Sequence, residues 1–485
     1  MRVTRSQIDM LATVIAETQH AERPADSLLH LFFRANPKLG SRDRSVVAEG
    51  YFAYLRRKRS IEAIAETRNS TLLALATLVR GGHSVRELSE VLTDRETEWL
   101  EQLKARRTDM SPAVAHDVPD WLWDRLGLEY GDDDRDVMTR SWLQSAPLDI
   151  RINPLKSTRD DAQKALAVAG IEATPTPMSP YGLRIDGRPL LSRLDLFTKG
   201  EIEVQDEGSQ LLAMLVAPTR NEMVVDFCAG AGGKTLLMGA LMRNQGRLYA
   251  FDTSEKRLAN LKPRLKRSGL SNIHPQLIAH ENDAKVKRLA GKIDRVLIDA
   301  PCSGLGTLRR NPDLKWRQTP GAVAELAAKQ RSILESASRL PKGGGRLVYA
   351  TCSMLPEENR DVVASFLDAH PDYALVPAED ILRKAGVSVA TGEYLELSPH
   401  RNGCDGFFAA VLERKPAAPK PAKGANVTMA ADAHDDAGSN EGTTGTGTRP
   451  AASSGDIPAS MYNDETTPPA GQATSSKAQK DTENQ

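Results

Sequence analysis

Four cysteines, at positions 228, 302, 352 and 404, are the residues of this 485-residue chain best suited to covalent chemistry. They are separated by 74, 50 and 52 positions, with no Cys-x-x-Cys pair and no histidine at zinc-ligand spacing, so reduced thiols are expected and no metal. A lone cysteine usually packs in a core. Cys302 and Cys352 differ because each follows an apolar run, through Asp299-Ala300-Pro301 and Tyr349-Ala350-Thr351 respectively. Two thiols just beyond neighbouring strand ends suit nucleophilic catalysis. A thiolate added at C6 of cytosine turns C5 into an enamine carbon able to attack a methyl sulfonium; a base then removes the C5 proton and the thiolate leaves. Asp299 is the natural group to assist addition at N3 of the base. Cys404, in RNGCDGFF, carries no mark of reactivity and is read as structural.

A second constellation supplies a place for the methyl donor. In VVDFCAGAGGKT a Gly-rich turn directly follows a short apolar strand and opens a helix, whose free N–H groups favour a carboxylate or phosphate. A phosphate-binding P-loop would need glycine where Cys228 stands, and a dinucleotide fold would need one at Thr235. Asp252 closes the next strand, about 20 residues on, where a carboxylate can accept bonds from ribose hydroxyls. Asp283 follows the third strand and Asp299 the fourth. Four strand ends carrying a glycine loop or an aspartate suit a nucleoside without phosphates, which favours an adenosine-bearing sulfonium over ATP or NAD.

The elements that must position these residues are legible as a change of texture. Residues 1–143 show helical apolar spacing and hardly any strand signal. Residues 144–206 read as a small α+β module. Residues 207–414 alternate short apolar strands (224–227, 247–251, 273–278, 295–298, 346–350, 407–412) with amphipathic helices (235–242, 255–267, 322–339, 357–369), the pattern of a doubly wound parallel sheet with its ligand at the carboxyl ends of the strands. Residues 415–485 are rich in Ala, Pro, Gly, Ser and Thr and are expected to be disordered.

Bulk properties narrow the field further. No run of about 18 apolar residues occurs and the N-terminus lacks a signal-peptide core, so a cytoplasmic protein without a membrane partner is expected. The formal charge is zero, but residues 416–485 hold five Lys and Arg against nine Asp and Glu, which leaves about +4 on the rest. That excess is clustered at Arg56–Arg59, at Lys262, Arg264, Lys266 and Arg267, and at Arg309, Arg310, Lys315 and Arg317, as phosphate contacts would be. Arg309 and Arg310 look suited to phosphates, and Trp316 to stacking on a base or covering the core.

The motifs DFCAGAGGKT, AFDTSEKRLANLK, LIDAPCSGLGTLRRNPDLKW and LVYATCSMLPEENR resemble the RsmB/NOP/Sun family of RNA 5-methylcytosine methyltransferases, over roughly residues 145–413. The paired Pro-Cys and Thr-Cys are the discriminating feature. The resemblance implies a Rossmann-like class I methyltransferase domain and S-adenosylmethionine as co-substrate. It assigns Cys352 as nucleophile and Cys302 as the cysteine that aids product release. It also gives a donor site of Cys228, Ala229, Gly230, Ala231, Gly232, Gly233 and Lys234 with Asp252, Asp283 and Asp299. Family members commonly read Cys-Ala-Ala-Pro-Gly-Gly-Lys, where this chain has Gly230-Ala231 for Ala-Pro, so donor affinity is the property that this departure touches. The N-terminal region is similar in arrangement to the NusB-like helical RNA-binding domain of some members. Ribosomal RNA is the expected partner, with tRNA the alternative, and no oligomer is indicated. A P-loop NTPase and a non-catalytic RNA-binding factor are the competing readings, disfavoured by Cys228 and by the intact cysteine pair.

Overall fold

The computed structural model describes residues 3–18, 23–106 and 108–416. The expected disordered tail lies, from residue 417 on, outside the described residues.

The N-terminal region is helical, as its periodicity predicts, from Arg5–Thr18 to Asp120–Ser141. It packs as two units. Helices from Arg5 to Ala105 share one core, built on Ile8, Ile15, Tyr51, Tyr54 and Leu75. The helices Pro112–Ala115 and Asp120–Ser141 instead place Leu122, Leu126 and Trp142 against Leu305, Leu308 and Met354 of the segments that follow Cys302 and Cys352.

Four strands then form an antiparallel sheet: β1 (Leu148–Ile152), β2 (Ala173–Pro175), β3 (Gly182–Ile185) and β4 (Ile202–Val204), in the order β2-β3-β1-β4. Its apolar face closes on the helix Arg159–Val168 through Ala162 and Leu166, both fully buried.

The larger sheet has eight strands: β5 (Met223–Asp226), β6 (Arg247–Asp252), β7 (Ile273–Leu277), β8 (Ile293–Asp299), β9 (Pro341–Thr351), β10 (Tyr373–Val376), β11 (Leu395–Leu397) and β12 (Phe407–Arg414). The order is β10-β12-β9-β8-β5-β6-β7, with β11 paired to β12. The five strands from β5 to β9 are parallel, and the C-terminal three add an antiparallel edge. Helices cover both faces, which is why β8 buries Val296, Leu297 and Ile298 in succession instead of alternating. The order in which the chain adds strands reverses between β5 and β8, and a crevice opens there beyond the strand ends. Among the described residues no helix is long and apolar enough to cross a membrane.

Candidate active site

The crevice is a cavity of about 730 Å³ whose wall includes Gly230, Lys234, Asp252, Asp299, Cys302 and Cys352. Residues from the ends of β5, β6, β8 and β9 therefore meet in one place.

The Gly-rich turn leaves β5 and enters the helix Gly233–Leu241, whose N-cap, Gly232, provides no side-chain cap. Gly232 adopts φ +83°, and a Cβ there would come within 2.1 Å of Leu261 Cδ1 on the neighbouring helix Glu255–Ser268, so only glycine lets the two helices close on the turn. Gly232 does not itself line the cavity, whereas Cys228, Ala229, Gly230, Ala231, Gly233 and Lys234 do. Asp252, at the end of β6, accepts from Gly230 N at 2.8 Å through Oδ2 and from Ser254 N at 2.7 Å through Oδ1. Each oxygen keeps a lone pair, and the carboxylate also fixes the loop.

Beneath the loop, Asp226 accepts from Thr235 Oγ1 at 2.7 Å, and its Oδ1 has no partner. Burial, reinforced by Asp299 and Asp252, outweighs that bond and pushes its carboxyl up to about 7. The same burial and the same three carboxylates push the Cys228 thiol well above its ordinary value. Cys404 is fully buried and its thiol is likewise pushed up by burial.

Lys234 Nζ lies 2.7 Å from Asp299 Oδ2. Burial pulls the ammonium down, but the charge and hydrogen bond of Asp299, followed by the charge of Cys352, more than offset it, so Lys234 stays protonated. The Sγ atoms of Cys302 and Cys352 stand 3.3 Å apart, and Cys352 N points at Cys302 Sγ at 3.3 Å. This closeness follows from topology: β8 and β9 are adjacent and parallel, pairing Asp299 with Ala350, so the loops that follow them start side by side. The Cys302 thiol is pushed well up, first by its bond to Cys352 and then by burial.

Asp283, like Gly232, is an expected donor residue that does not line the cavity wall. Its oxygens accept from Ala279 N at 2.9 Å and Lys285 N at 2.8 Å, capping the short helix Ala284–Lys287. Glu281, two residues earlier, lines the cavity instead. Despite burial, its bonds to Lys329 (2.7 Å) and Ser332 (2.5 Å) hold its carboxyl down to about 2.

The basic clusters read as phosphate contacts are largely internal ties. Arg264 and Arg267 pair with Glu203 of β4. Arg310 bridges Asp206 (2.8 Å) and Asp405 (2.5 Å), and Arg309 is buried beside Asp405. Arg56 donates to Arg309 O at 2.9 Å, and Lys315, fully buried, donates to Arg56 O at 2.8 Å. Trp316 packs on the N-terminal helical core, with Nε1 donating to Leu55 O at 2.7 Å, and so covers a core. Sequence reasoning did not single out Asp206, Asp405 and Phe407, which line the same cavity as Cys352, nor Glu358, Gln330 and Asn359 behind the cysteines. The quoted motifs LPEENR and RNGCDGFF contain four of these six, but without the fold nothing in them marks which acids turn inward.

Comparison with known proteins agrees with this architecture. Residues 213–413 match the family described as 16S rRNA methyltransferase RsmB/F, and residues 118–190 match the RsmF/B-like ferredoxin-like domain. A ribosomal RNA small subunit methyltransferase B from Photorhabdus laumondii is 32% identical over 370 residues, spanning 73% of this chain and 80% of the relative. The chain belongs to the RsmB/F methyltransferase family. The probable ribosomal RNA small subunit methyltransferase B of Synechocystis is 37% identical over 303 residues, 62% of this chain and 67% of that protein. The crystal structure of PH0851 is similar over 85% of this chain and all of its own, at 26% identity and a TM-score of 0.70. A methyltransferase homolog from Pyrococcus horikoshii, 27% identical, covers 63% of this chain with a TM-score of 0.54. The ferredoxin-like match covers β1, β2 and β3 of the four-stranded sheet and begins upstream of it, taking in the helix Asp120–Ser141 packed on the cysteine loops.

Proposed function

We propose that this RsmB/F protein methylates C5 of a cytosine in small-subunit ribosomal RNA, with S-adenosylmethionine as donor and Cys352 as nucleophile. The observation that carries the reading is the pair of thiols 3.3 Å apart, opening into the same cavity as the Gly-rich loop and Asp252.

The residues present fit the donor. The uncapped N-terminus of the helix Gly233–Leu241 suits its carboxylate, and Asp252 has lone pairs for ribose hydroxyls. The bound donor supplies an electrophilic methyl group. Cys352 Sγ forms a bond to C6 of cytosine, and Asp299, paired with the Lys234 ammonium, relays a proton to N3 as negative charge develops there and takes it back on elimination. C5 takes the methyl group as its bond to the sulfonium breaks and a neutral thioether leaves, a base removes the C5 proton, and the electrons of the C5–H bond restore the ring as the Cys352–C6 bond breaks. Cys302, in contact with Cys352, aids this release. The names of the relatives favour ribosomal RNA over tRNA as substrate.

Bisulfite sequencing of total RNA from cells with and without the gene tests the proposal. One small-subunit cytosine that resists conversion only when the protein is present supports it; identical conversion profiles refute it.

A further inference from the structure

Behind the cavity, three side chains bracket the two cysteines. Glu358, fully buried, accepts through Oε1 from Ser303 N (2.8 Å) and Gln330 Nε2 (3.0 Å), and through Oε2 from the hydroxyls of Ser303 (2.5 Å) and Ser353. Four donors converge on two oxygens, the arrangement that an acceptor-only carboxylate takes. Ser303 follows Cys302 and Ser353 follows Cys352, so one carboxylate joins both loops at equivalent positions. The residues before the cysteines are held as well: Gln330 Nε2 donates to Pro301 O at 2.9 Å, and Thr351 Oγ1 donates to Asn359 Oδ1 at 2.5 Å. Asn359 Nδ2 then returns to Ser353 O at 3.1 Å.

The charges are split between the two sulfurs. Glu358 acts on Cys302, whose thiol is raised first by Cys352 and by burial and further by the Glu358 charge. Lys234 lines the same cavity as Cys352.

We propose that Glu358 is a positioning residue: it ties the two cysteine loops together and sets its carboxylate against Cys302, so that Cys352, which shares the cavity with Lys234, is the more reactive sulfur. The proposal rests on Cys352 being the nucleophile, and its test reads the free enzyme, independently of any RNA.

Alkylation of the full chain by iodoacetamide, followed at each cysteine by peptide mass spectrometry, is compared among wild type, Glu358→Gln and Glu358→Asp, with the Michaelis constant for the donor measured alongside. Wild type is expected to react faster at Cys352. Glu358→Gln, which removes the charge, is expected to speed Cys302 and narrow the preference about tenfold, the effect of one unit of thiol pKa. Glu358→Asp, which keeps the charge on a shorter arm, is expected to retain the preference while methyl transfer slows and the donor constant stays. An unchanged preference in Glu358→Gln overturns the proposal, as does equal acceleration of both thiols together with weakened donor binding, the mark of simple loosening. Faster reaction at Cys302 in wild type overturns the nucleophile assignment itself.

Discussion

Lys234 Nζ and Asp299 Oδ2 meet at 2.7 Å at the end of β8, which links the donor loop to the loop that carries Cys302. The lysine side chain is 12% exposed and the aspartate 30%, so the pair is partly screened by solvent. Its arrangement gives Asp299 a fixed orientation toward the cavity, whose wall the lysine shares with Cys352.

Replacing Lys234 with methionine keeps the bulk and leaves Asp299 without its cation. Removing one partner of a fully buried pair costs ~3–5 kcal/mol, and the exposure of Asp299 reduces the expected loss here to about 2 kcal/mol. Methyl transfer should fall about a hundredfold, the usual scale for losing one preorganised electrostatic contact. Chemical denaturation and single-turnover kinetics check the two numbers separately.

The glycines of the donor loop should not be equivalent. Gly232→Ala places Cβ 2.1 Å from Leu261, which is fully buried, at φ +83°, so strain and clash add, and a loss of at least ~2 kcal/mol is expected. Gly230→Ala meets nothing within 4 Å at φ +56° and should cost only about 1 kcal/mol. Thermal unfolding distinguishes the pair, and calorimetry should show Gly230→Ala altering donor affinity more than stability.

Asp226 gives the donor loop a pH dependence. Its carboxyl is raised to about 7 by burial, so between about pH 4 and pH 7 the folded state holds a proton that the unfolded state has released. Stability from this group is therefore fully present below the unfolded pKa and declines as pH rises through 7. Asp226→Asn should remove that decline, making the melting temperature flatter across pH 5–8 than in wild type. A parallel curve for the two proteins contradicts the assignment.

Trp316 should matter for the attachment of the N-terminal helices. Trp316→Ala removes its packing against the helical core and the bond to Leu55 O. Large aromatic truncations in cores cost ~3–5 kcal/mol, and the partial exposure of Trp316 lowers the expected loss to about 2–3 kcal/mol. Limited proteolysis should show faster cleavage between the helices Asp94–Ala105 and Pro112–Ala115.

What could be read in the sequence was whatever is written locally. A glycine turn after an apolar strand, aspartates at strand ends and the two cysteine loops are short-range patterns, and six strands and the main helices follow from periodicity. β10 and β11 join the sheet only as an antiparallel edge on β12, a pairing that no local pattern marks. The arginine clusters misled because their partners are remote: Arg267 meets Glu203 across 64 positions and Arg310 meets Asp206 across 104. The carboxylate of Asp283 is held by backbone amides two and four residues away. Glu358 was invisible because an acid flanked by Glu357 and Asn359 looks solvated until the fold supplies four donors from three segments.

The central claim is the division of labour between two sulfurs 3.3 Å apart. It is tested most directly by incubating Cys302→Ala and Cys352→Ala variants with small-subunit RNA and labelled donor, then resolving the products on denaturing gels. The account predicts that Cys302→Ala accumulates a covalent protein–RNA adduct, whereas Cys352→Ala forms none and transfers no methyl group. Retained transfer in Cys352→Ala, with Cys302→Ala inactive and free of adduct, would contradict it by reversing the two roles.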